Sequence, residues 1–119
     1  MSFLLEKLEV YRIAVDFADD VVAVCDRLPW RSRVLVDQLS RAAISVPANI
    51  AESNGRRWPR ERCQYLCIAR GSLLECVPLL EIARRRSLID SEAHADLMSL
   101  AERISRMLSG LIARHAAAK

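Results

Sequence analysis

Residues 4–28 run for 25 positions without a glycine or a proline, and their polar side chains return at helical intervals. Glu9, Arg12, Asp16, Asp19, Asp20, Asp26 and Arg27 make one narrow stripe. A strand of this length would be far beyond the usual ~3–10 residues, whereas a helix takes it easily and spans ~37 Å at 1.5 Å per residue. Leu5, Leu8, Tyr11, Val15, Ala18, Val22 and Cys25 line one apolar face, and Val10, Ile13, Val21, Val24 and Leu28 carry apolarity well beyond it. A helix with one buried side needs an apolar arc of only a little over ~100°. The wider arc predicts two buried sides: one against a bundle core and one against a further interface.

So long a rod needs partners of similar length, and the remaining sequence supplies three. Pro29 ends the first segment. A second helix is predicted over 32–54, stopped by "SNG" with Gly55 as its cap. Pro47 lies inside it, lacks an N–H and strands the carbonyl of Ala43, which costs a helix interior ~3 kcal/mol. Leu35, Leu39, Ala42, Ala43, Val46 and Ile50 keep helical spacing on both sides of the proline, which predicts a bend there rather than an end.

A third helix, 59–86, opens on Pro59 at the favoured first-turn position with Glu61 behind it, and Gly71 and Pro78 bend it without a turn cluster. A fourth, 91–114, is capped by Asp90 or Ser91 and carries the stripe Leu97, Leu100, Ala101, Ile104, Met107, Leu108, Leu111. The tail "RHAAAK" is expected to fray. Four long helices on short connections make an all-α, up-and-down four-helix bundle, one domain over 1–119.

Composition narrows the function classes. Aromatic residues are only 5% of the chain, too few for a sheet sandwich or an extended base-stacking platform. The start "MSFLLEKLEV" has no basic leader, and Glu6 and Glu9 interrupt its apolar run. No apolar run reaches the ~20 residues of a membrane span, so the cytoplasm is the expected address, with no membrane partner. Cys25, Cys63, Cys67 and Cys76 are then expected as thiols. Cys63 and Cys67 stand one turn apart, but no four-ligand set accompanies them, so neither a metal nor a cofactor is expected.

Charge is unevenly placed. Residues 1–28 carry three basic and six acidic side chains, residues 29–62 seven basic and three acidic, and 16 of the 18 basic residues are arginine. Arg56, Arg57, Arg60 and Arg62 cluster at the second connection, and Arg84, Arg85 and Arg86 close the third helix. These are the candidate nucleic-acid contacts. In an up-and-down bundle they lie at opposite ends and form two basic rims, which repetition in an oligomer turns into rings able to hold phosphates. Their simpler roles are interaction with a helix C-terminal dipole and solubility. Trp58 can stack on a base, or staple the helix entry.

The second helix also carries a polar line: Gln38, Arg41, Ser45, Asn49, Glu52 and Arg56 fall within an arc of ~80°. It reads as a solvated face, or as a partly buried network in which Arg41 pairs with Glu52 while Ser45 and Asn49 serve backbone groups freed by Pro47. A remote third reading makes Arg41, Asn49 and Glu52 a catalytic line, although no histidine, nucleophile or second carboxylate stands beside Glu52 in sequence. Gly71, with Ala69 and Ser72, offers a place for another helix to approach closely, within the bundle or across subunits.

"LSRAAISVPANIAESNGR" and "RERCQYLCIARGSLLECVPLLEIARR" resemble the bacterial four-helix-bundle family of ribosomal-RNA intervening-sequence proteins. The resemblance covers about Leu5 to Arg114. It rests most on Arg41-Ala42, the stretch Pro47 to Glu52, Gly55-Arg56, and Gly71-Ser72 with Glu75. The family commonly has glycine after the glutamate, where this chain has Ser53. The resemblance implies a non-enzymatic bundle that assembles into a ring-like homopentamer. It is similar, too, to the accessory protein of diversity-generating retroelements, whose basic pentameric barrel binds nucleic acid and a reverse transcriptase. The expected function is that of an oligomeric interaction protein, meeting RNA, DNA or a nucleic-acid-processing protein through its arginine rims. The alternative is an adaptor or scaffold for a protein partner, with no nucleic-acid binding.

Overall fold

The computed structural model describes residues 3–117. Four helices, α1 (Phe3–Asp26), α2 (Arg33–Asn54), α3 (Pro59–Arg85) and α4 (Ser91–Ala117), follow one another, and a single 3-10 turn, Trp30–Ser32, precedes α2. No strand occurs among the described residues, and none of their helices is long and apolar enough to cross a membrane. α2 packs on α1 and α3, and α4 closes the ring by packing on α3 and α1. The result is a square bundle of 47 × 23 × 18 Å, close to the ~40 Å expected for a 27-residue helix such as α3.

The core selects one side of each helix. Val10, Ile13, Ala14, Phe17, Ala18, Val21 and Cys25 turn inward from α1, and Leu39, Ala42, Ala43, Val46 and Ile50 from α2. Leu66, Ala69, Leu73, Cys76, Leu80 and Ala83 meet them from α3, and the expected α4 stripe supplies Leu97, Ala101, Ile104, Leu108 and Leu111. On α1 the core falls between the two apolar sides. Leu5, Leu8, Tyr11 and Val15 of the first face are exposed, while Ala18 and Cys25 of that face join Val10, Ile13 and Val21 in the core. Ala14 and Phe17 are wholly buried in the same cluster, where close packing leaves few voids.

The connections are built by small devices. α2 continues unbroken through Pro47 to Asn54. Gly55 is not a left-handed cap: its φ is −86°, and its N–H donates to the carbonyls of Ala51 and Glu52 at 3.2 Å. The left-handed residue is Ser87, φ 59°, after α3. Its N–H donates to Arg84 O at 3.0 Å and the Leu88 N–H to Ala83 O at 2.9 Å, the paired bonds of a Schellman stop. Glycine is the usual residue there, because a Cβ makes the left-handed conformation unfavourable. Ser87→Gly is therefore expected to stabilise the fold by about 0.5–1 kcal/mol. A urea midpoint that rises at unchanged slope bears this out; a fall contradicts it.

At the start of α4, Asp90 Oδ1 accepts from the Ala93 N–H at 2.7 Å, so Asp90 is the cap. Ser53 is buried, and its hydroxyl donates to Arg62 O at 2.9 Å, fastening the end of α2 to the start of α3. α4 is helical through the tail as far as Ala117, where fraying was expected from Arg114 on. Ala118 and Lys119 lie outside the described residues.

Candidate interaction surfaces

The polar line of α2 divides into three separate environments. Arg41 is solvent-exposed and pairs with Asp37 at 3.4 Å, as on a solvated face, and the Arg41–Glu52 pair of the network alternative does not form. Ser45 and Asn49 are half-buried against α3: the Ser45 and Ser72 hydroxyls share a hydrogen bond of 2.8 Å. Asn49 Nδ2 donates to the Ser45 carbonyl and hydroxyl, each at 2.9 Å. The amide thus serves the carbonyl of Ser45, not that of Ala43, and the group joins two helices. Glu52 is exposed and accepts from Arg56 at 2.8 Å. Glu52 therefore neutralises an arginine at a helix end.

The two arginine clusters do lie at opposite ends, and their members differ in freedom. At the α2–α3 end, Arg56 donates to Glu52 and to the Tyr65 hydroxyl at 2.9 Å, approaches Glu61 at 3.8 Å, and lies over the Tyr65 ring at 4.7 Å. Arg62 Nε donates to the Arg56 carbonyl at 2.6 Å. These two hold the corner together. Arg57 stacks on Trp58 at 4.8 Å, and Arg60 is exposed with no carboxylate partner among the described residues. Trp58 itself is 56% exposed instead of being folded onto the helix as a staple.

At the other end Arg84 and Arg85 both bond Glu81, at 2.8 and 3.0 Å. Those hydrogen bonds, chiefly from Arg84 and then Arg85, hold the Glu81 carboxyl down to about 2. Arg86 is exposed and outside that group. Sequence clustering missed Arg31, which joins Arg86 along one groove because the α1–α2 connection returns to the same end. Up-and-down topology was the signal that could have found it.

The apolar surface is more distinctive. Leu4, Leu8, Tyr11 and Val15 follow helical spacing along the outside of α1, with Leu5 beside them. Beside this row, on the α4 side, Glu6 bonds Arg114, and Glu9 bonds Arg103 at 2.8 Å, tying α1 to α4. On the outside of α3, Cys67, Gly71, Leu74 and Pro78 form a second exposed line. A Cβ added at Gly71 would meet nothing within 4 Å, so no helix of this chain approaches it.

Thiol chemistry finds little support. Cys25 and Cys76 are buried, and burial, then Glu75 and Cys25, pushes the Cys76 thiol up to about 12. No group of three or more metal-ligating side chains converges among the described residues. His115, which looked like part of a fraying tail, is 3% exposed, packs on Phe3 at 4.8 Å and leaves Nε2 without a partner. Burial, then the charges of Lys7, Arg62 and Arg114, hold its pKa below the ordinary histidine value. The unfolded chain therefore binds this proton at higher pH than the native one. Stability is complete above pH ~6.5 and falls as pH drops below that, by at most ~1.4 kcal/mol per unit for one proton. His115→Gln should flatten unfolding free energy between pH 7 and 5.5, roughly; an unaltered slope would contradict the assignment.

These features define a class first: an up-and-down four-helix bundle whose polar groups mostly serve its own corners. The model of the 23S rRNA-intervening sequence protein family matches residues 6–110, and the chain belongs to that family. A crystal structure of a protein of unknown function from Bacteroides thetaiotaomicron, from the S23 ribosomal protein family, shares the fold. It superposes with a TM-score of 0.84 at 23% identity, covering 90% of this chain and 97% of that one. Among curated proteins no sequence match is found.

Proposed function

We propose that this chain is a self-assembling interaction module of the cytoplasm with no catalysis of its own. The exposed apolar row Leu4, Leu8, Tyr11, Val15 carries the reading. A row of large apolar side chains along a helix, on a chain that already has a complete core, is the surface that association covers. The line through Gly71 and Leu74 on α3 is a second such surface on a different helix, with room for close approach at the glycine. Two unlike surfaces that fit one another make a head-to-tail contact, which closes into a ring when the rotation allows. The stoichiometry implied by the family resemblance is five. Light scattering on the eluting protein tests the assembly.

Contact with RNA or DNA is the second reading, favoured by the pairing of Arg57 and Arg60 with an exposed Trp58 at one end. Repeated around a ring, they offer phosphate contacts and a stacking surface. Arg57→Ala with Arg60→Ala is expected to weaken binding of a single-stranded oligonucleotide by about tenfold and to reduce its salt dependence. Arg56 and Arg62, engaged in the corner, should alter stability instead. Equal affinity of the double variant and the parent would remove this reading.

A further inference from the structure

At the end opposite Trp58, a groove of about 450 Å³ runs along the seam of α2 and α3. Its floor is aliphatic: Leu35, Leu79 and Leu88 are half-buried, and Ile82 is exposed. Val34 lines one edge, 65% exposed, and also lines an adjoining groove with Trp30, which at 79% is the most exposed large apolar side chain described. Arg31 and Arg86 line the same groove, and neither has a carboxylate partner among the described residues. The acids of α2 and α3 nearby are occupied, Asp37 by Arg41 and Glu81 by Arg84 and Arg85. Arg33 adds positive charge over the Trp30 ring at 5.2 Å.

We propose that this groove is a docking site for an acidic amphipathic helix of a partner protein. A seam between two antiparallel helices accepts a third helix laid along it, with anchors at i, i+3, i+4 and i+7. The aliphatic floor takes the anchors, Trp30 and Val34 cover their edge, and carboxylates flanking the apolar stripe reach Arg31 and Arg86. Guanidinium groups hold carboxylates bidentately, which fixes the helix in register. Both ends carry an arginine stacked on an exposed tryptophan; the aliphatic floor, which offers a phosphodiester chain nothing, is what favours a helix at this end. The site is separate from the α1 row, and on α3 it begins at Leu79 and Ile82, just past Pro78 of the outer line.

The chain has two tryptophans, so Trp58→Phe leaves Trp30 as the sole reporter. The probes are a helical peptide of about four turns with leucines at those four positions and glutamates on both flanks, the same peptide with lysines for glutamates, and an oligothymidylate. The glutamate peptide is expected to shift Trp30 emission to the blue and to saturate. Arg31→Glu with Arg86→Glu should weaken it at least about tenfold, and Val34→Asp should do likewise; all three positions are exposed, and unchanged helical circular dichroism confirms the fold. Equal binding of the lysine peptide overturns the proposal. So does a response to oligothymidylate alone. A blue shift produced by raising protein concentration without peptide also overturns it, because a second copy then fills the groove. A 13.4 kDa monomer that still discriminates between the peptides would sink the assembly reading while leaving this one standing.

Discussion

Replacing Leu8 and Tyr11 together with glutamate is expected to yield a folded, helical monomer of 13.4 kDa. Both side chains sit on the outer face of α1, 49% and 37% exposed, and neither belongs to the core. The bundle's own packing should survive the change, since surface substitutions usually move stability by no more than about 0.5 kcal/mol. At an interface the same change is severe. It removes an aromatic anchor of a type often worth ~2 kcal/mol or more, and it places two carboxylates in an apolar contact, where unpaired charge is strongly unfavourable. Repetition around an assembly multiplies the loss. Scattering mass and far-ultraviolet circular dichroism, measured together, read the outcome. An unchanged mass would remove the α1 row from the interface; loss of helicity would show that the row supports the bundle itself.

Phe17→Ala should do the opposite. Phe17 lies on the other side of α1, wholly buried and among the largest core side chains. Truncating it removes transfer energy and leaves a cavity, a combined loss of about 3–5 kcal/mol. For a domain of this size that lowers the melting temperature by more than about 10 °C. Urea unfolding in the Leu8→Glu, Tyr11→Glu background keeps mass action out of the comparison. The midpoint should fall at unchanged slope, while a loss under about 1 kcal/mol would put Phe17 outside the working core. Two substitution sites fewer than three turns apart on one helix thus separate folding from assembly.

The helices and their order were legible because each segment keeps its period between a few strong punctuators. Proline at 29 and 59 and the cap at Asp90 mark ends that the structure reproduces within a few residues. Which side of α1 is the core was not legible. Both sides are apolar, and their periodicity alone does not say which one meets the other helices. Packing decides it, and Val10, Ala14, Phe17, Ala18 and Val21 enter the buried cluster. The Arg41–Glu52 pair failed for a simpler reason. One face does not mean one place: eleven residues of helix separate them by ~16 Å along the axis.

Non-local partners hid the rest. Nothing around Arg56 in sequence announces Tyr65, and nothing in "RHAAAK" announces that His115 will pack on Phe3 from the far end of the chain. Of the seven rim arginines, Arg56, Arg62, Arg84 and Arg85 bond groups of their own chain. Composition counts charges but does not show which are already spoken for. The left-handed stop at Ser87 was invisible because no glycine marks it.

Whether the outer faces of α1 and α3 are covered by further copies decides the account as a whole. Light scattering coupled to size exclusion, on the unaltered chain at micromolar concentration, is the direct measurement. The account predicts one symmetric peak whose mass is a whole multiple of 13.4 kDa, with five copies as the expected multiple. A stable 13.4 kDa monomer across that concentration range would contradict it.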